Sequence, residues 1–99
     1  MTIKLETAPI TAGDFLTAAD ATITKRGQTY DSPYGERSMA AAVAAFNAIT
    51  KRDLKAAEGW LLLQLLKDVR QWSTSEYHED SALDCVAYAA LKAEALAGG

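Results

Sequence analysis

The chain has 99 residues, ten of them lysine or arginine and thirteen aspartate or glutamate, for a net charge of −3. That length suffices for one compact domain and excludes two, and the acidic balance lacks the strongly basic footprint of a general nucleic-acid binder, so direct nucleic-acid binding is not expected. With 49% apolar and 23% charged residues the composition is that of a soluble globular protein.

One cysteine, Cys85, cannot close an internal disulfide and points to a reducing compartment. The start of the chain shows no signal-peptide pattern. The leucine-rich run "WLLLQLL" is interrupted by Gln64 and is far short of a membrane span. A cytoplasmic protein, with no membrane association, is expected.

Residues 1–10 read as an N-terminal arm ended by Pro9. Thr11 and Asp14 then form a capping-box-like start, and a helix is predicted over about 12–25, with Phe15, Leu16, Ala19 and Ile23 on its inner face. Gly27 suits a left-handed helix end. Residues 26–37 are the one long loop, rich in turn formers and in recognition-type side chains: Arg26, Tyr30, Tyr34 and Arg37. A second helix, about 38–49, is alanine-rich and presents Met39, Val43, Phe46 and Ile49. Asp53 is the expected cap of a third helix, about 54–72. Its apolar set of Trp60, Leu61, Leu62, Leu63, Leu65, Leu66 and Val69 spans most of the circumference, which predicts the central helix of the core or a contact with another subunit. A fourth helix, about 79–97, would bury Leu83, Val86, Ala87, Ala90 and Leu91. Alanine favours helix because it loses no side-chain entropy. The fold class predicted is all-α, a compact bundle of four helices in a single domain.

Chemistry concentrates around "HEDSALDCVAY". Asp80 and Asp84, four apart, share a helix face. Such a pair can hold Mg²⁺, or it can serve the helix dipole and a salt bridge. Lys67 and Arg70 near the end of the third helix are placed by the short connection to face the two acids. The four charges form either a structural ion-pair network or a pocket in which the cations hold phosphate and the acids a metal. His78 and Cys85 lack the further histidine and cysteine partners that zinc requires, no activated nucleophile is apparent, and no glycine-rich phosphate loop is present. Arg26, Tyr30, Tyr34 and Arg37 have the chemistry of a partner- or nucleotide-binding loop: aromatics and arginines anchor interfaces, and arginine grips phosphate with two donors.

Together, "RGQTY", the helix ending "LLKDVRQW" and "HEDSALDCVAYAAL" resemble a family of small phage and prophage all-helical proteins of unknown function. That family reads R-G-x-x-Y, then K-x-x-R, then D-x-x-x-D-x-x-x-Y-A. The matching positions are Arg26, Gly27, Tyr30, Lys67, Arg70, Asp80, Asp84, Tyr88 and Ala89. The chain departs from the pattern at Asp31 and Ala87, where the family often has glycine. The family is in turn distantly similar to MazG-type nucleoside triphosphate pyrophosphatases, which hold Mg²⁺ with acids from two helices. Here the second helix has no carboxylate, and Glu58 and Asp68 do not share a face of the third, so a two-metal site is not assembled.

The resemblance implies a non-enzymatic accessory protein that engages a protein of the bacterial host or of the phage, as an inhibitor or in counter-defence. No cofactor is then expected. The alternatives are a Mg²⁺-dependent nucleotide-binding or pyrophosphatase domain, sited at Lys67, Arg70, Asp80 and Asp84, and a self-assembling structural protein. A homodimer is compatible with each.

Overall fold

The computed structural model describes residues 8–27 and 38–98. It contains four helices: α1 Ala12–Arg26, α2 Ser38–Thr50, α3 Ala56–Trp72 and α4 Glu79–Leu96. The all-α bundle expected from the sequence is what forms, with no strand among the described residues. Tyr30, Tyr34, Arg37 and most of the N-terminal arm lie outside the described residues.

α1 starts as its sequence dictates. The Asp14 N–H donates to Thr11 Oγ1 at 3.1 Å, and Asp14 Oδ2 accepts from the backbone N–H groups of Thr11 and Ile10 at 3.1 and 3.2 Å. These donors, the Thr11 backbone first, hold the Asp14 carboxyl below its usual range. The other end differs from expectation. Gly27 keeps right-handed angles (φ −58°, ψ −42°), and its N–H donates back to Ile23 and Thr24. Gly27 is buried where α1 ends and makes no left-handed turn there.

α3 begins at Ala56 rather than Leu54, and Asp53 is not its cap. The reason is Asn47. Its side-chain amide donates to the Leu54 carbonyl and accepts from the Leu54 N–H, both at 2.9 Å, so Leu54 is paired to α2 and cannot enter the helix. Lys55 takes the cap position, with its N–H donating to Glu58 Oε1 at 2.7 Å, and Asp53 pairs with the Lys55 ammonium in solvent.

Between α2 and this clamp, Lys51 adopts φ +62°. A left-handed conformation is costly for a residue with a Cβ, by about 1–2 kcal/mol. Replacing Lys51 with glycine is therefore expected to stabilise the chain by roughly 0.5–1 kcal/mol after the added entropy of the unfolded glycine, read as a rise in the urea midpoint.

In space the helices run α1, α4, α3, α2: α4 packs along α3, α1 lies on α4, and α2 on α3. Trp60, Tyr88 and Leu91 are the buried centre of the α3–α4 contact, with Ile23, Met39, Leu63 and Ala95 packed round them. The Trp60 and Tyr88 rings stack with centroids 5.8 Å apart at 26°. α2 reaches α3 over Gly59: a Cβ there would collide with Met39 Sδ and lie 3.0 Å from Val43 Cγ2.

The third helix is not buried all round, contrary to one expectation from its composition. Trp60 is its one buried residue, while Leu61, Leu62, Leu65, Leu66, Val69 and Trp72 are exposed. α4 takes one side of α3, and no described element covers the opposite side. On α1 the expected face holds at Ala19, buried, and at Phe15 and Ile23, half-buried, but Leu16 is exposed; on α2 Val43 is buried and Met39 half-buried as expected, while Phe46 and Ile49 are exposed and Asn47 is half-buried. On α4, Ala87 and Leu91 are buried as expected and Leu83 and Val86 half-buried, but Ala90 is exposed and Ser81 and Tyr88 are buried.

Candidate functional site

One cluster joins three helices. Asp84, in the second turn of α4, lies between two cations. Lys67 Nζ from α3 is 2.9 Å from its Oδ2, and Arg26 Nη2 from the end of α1 is 3.9 Å from its Oδ1. The Lys67 and Asp84 side chains are only 15% and 18% exposed, so this pair is partly withdrawn from water, while Arg26 is more open. Arg26 also reaches Tyr88. Its Nη1 donates to the phenolic oxygen at 3.3 Å, and its guanidinium carbon is 5.7 Å from the ring centroid. Tyr88 carries the cluster into the core through its stack on Trp60.

Helical spacing produces the arrangement. Asp84 and Tyr88 are four apart and share a face of α4. Trp60 and Lys67 are seven apart, two turns along one side of α3. Arg26 stands in the last turn of α1, where a cation is favoured by the helix dipole.

Of the four charges that the sequence brings towards each other, Lys67 and Asp84 meet. Arg70 and Asp80 are exposed and make no ion pair among the described residues. Arg70 is rotated off the α4-facing side on which Lys67 lies. Asp80 stays in the first turn of α4 beside Glu79, where it complements the dipole. Arg26 is the cation that the linear spacing assigned to the loop, and the structure turns it onto Asp84 instead. Among the described residues no three histidine, cysteine, aspartate or glutamate side chains are grouped to hold a metal ion.

The two neighbours of the acids have local roles. His78 caps α4 through its position, with its N–H donating to Gln71 Oε1 at 2.8 Å and its Nδ1 against Ser81 Oγ. Gln71 also donates to the Glu76 carbonyl at 2.9 Å and so ties the α3–α4 turn together. Cys85 Sγ lies 3.3 Å from Asp68 Oδ1, donating its proton. Burial and then the Asp68 carboxylate push the thiol above its ordinary value, which keeps it protonated and poorly nucleophilic at neutral pH.

The matched family model covers residues 14–96, from the first turn of α1 to the end of α4, and so includes the whole cluster. The chain belongs to the family described as a domain of unknown function, DUF6378. No curated protein and no solved structure matches it. No helix among the described residues is long and apolar enough to cross a membrane.

Proposed function

We propose that this DUF6378 chain is a small, non-enzymatic binding protein of the phage-accessory kind. It acts in the cytoplasm of a bacterial host and engages a host protein in an inhibitory or counter-defence role. The observation that carries the binding reading is α2. Its thirteen residues include no charged side chain, yet only Val43 is buried, with Met39 and Asn47 half-covered. Phe46 is 45% and Ile49 81% exposed. A helix on a free surface ordinarily carries charge on its outer side, and one that is apolar all round is covered by something. The host, rather than any other source of the partner, is what the likeness to phage accessory proteins suggests.

Asp84 is engaged by Lys67 and Arg26, so its carboxylate already has two cations beside it.

A photo-crosslinking residue at exposed position Ala45, activated in bacterial cells, tests the proposal. The expected result is one discrete protein adduct that is lost when Phe46→Asp and Ile49→Asp are introduced without change in helical content. Adducts that survive those substitutions, or an adduct only with another copy of the chain, would sink it.

A further inference from the structure

A second exposed apolar surface lies on α3 and makes a different demand. Leu61, Leu62, Leu65, Leu66, Val69 and Trp72 occupy the side turned away from α4. Three of the four charged residues of α3 are engaged elsewhere: Lys67 turns to Asp84, Asp68 meets Cys85, and Glu58 closes on the Lys55 N–H, while Arg70 is exposed one turn after Leu66. The positions 62, 65, 69 and 72 alternate spacings of three and four, the seam along which two helices pack side by side. At their exposures these six side chains leave roughly 700 Å² uncovered, close to the ~800 Å² each partner gives to a standard interface.

Four central positions of the surface read the same in both directions: Leu62, Leu65, Leu66 and Val69 are symmetric about the point between Leu65 and Leu66, while Leu61 and Trp72 fall outside this symmetry. Laid antiparallel on itself, α3 places position 62 opposite 69 and position 65 opposite 66. A two-fold interface requires this pairing, because residue i must meet j while j meets i. A surface selected for an unlike partner carries no such constraint, and the four paired positions 62, 65, 66 and 69 carry no charge by which to choose one.

We infer that α3 pairs with α3 of a second copy of this chain, antiparallel about Leu65 and Leu66, and that the protein is a two-fold dimer in solution. The inference goes beyond the α2 reading and is independent of it, since it uses a different helix side. Light scattering on the eluting full-length chain is expected to give twice 10.6 kDa. Leu65→Asp with Val69→Asp reduces this to the single-chain mass with the helical circular dichroism retained. The milder Leu62→Ala with Val69→Ala, which preserves helix propensity, weakens association at least about tenfold in sedimentation equilibrium. Ile49→Asp leaves the dimer intact even where it abolishes partner crosslinking. A single-chain mass at high micromolar concentration overturns the inference. So does a dimer that survives both seam variants, or one that Ile49→Asp dissolves.

Discussion

Replacing Trp60 with alanine is expected to lower stability by about 3–5 kcal/mol, the range for removing a large buried aromatic from a core. Trp60 is the one buried side chain that α3 offers, and it stacks on Tyr88 beside Leu91. Of the other leucines of α3 only Leu63 packs at this centre, and Leu61, Leu62, Leu65 and Leu66 are exposed. A domain of this size has about 5–15 kcal/mol in total, so the variant should sit near the edge of folding. Trp60→Phe keeps a ring in place and should avoid most of the loss. Urea unfolding followed by circular dichroism checks both. A loss below about 1 kcal/mol for the alanine variant would mean that the α3–α4 contact is not the centre of the core.

The second large effect is expected at Asp84. Asp84→Ala leaves the Lys67 ammonium with little solvent and without the carboxylate it pairs with, and removes the Asp84 contact of Arg26. Breaking a fully buried pair from one side removes about 3–5 kcal/mol. Because this pair keeps some exposure, the expected loss is about 2–3 kcal/mol, a fall in Tm of roughly 10–20 °C for a domain of this length. The diagnostic comparison is the double variant Lys67→Met with Asp84→Leu, which removes both charges. It should recover much of the loss, since a stranded charge is costlier than an absent pair. If the double variant is as unstable as the single, the carboxylate matters through Arg26 and Tyr88 rather than through Lys67.

Helix identity and extent were legible because alanine propensity, the Thr11–Asp14 cap and the loop punctuation agree with one another. The misplaced start of α3 shows where local rules end: Asp53 is the better cap by type, but Asn47 holds Leu54 outside the helix, and that amide clamp depends on how two helices meet. The burial pattern was legible only in part. Apolar spacing locates a stripe on α3 but cannot say which of two apolar sides receives α4. The side with Trp60, Leu63 and Lys67 does so, because it holds the ring that Tyr88 stacks on and the cation that Asp84 needs. For the cluster, Lys67 with Asp84 was readable from helix spacing across a short turn. Arg26 was not, since its approach to Asp84 is set by the packing of α1 on α4, far apart in sequence.

The spatial order α1, α4, α3, α2 also bears on how the chain assembles during synthesis. α1 is made before the other three helices, yet the helix it packs on is made after them. Until α4 emerges, α2 and α3 can pair through Gly59 and the Asn47 clamp, while α1 has no surface to join. The side it must keep available is lined by Ala18 and Ala19, its two buried residues. Small side chains expose little apolar area while they wait, and small hydrophobic area is what limits aggregation of a segment whose partner is still on the ribosome.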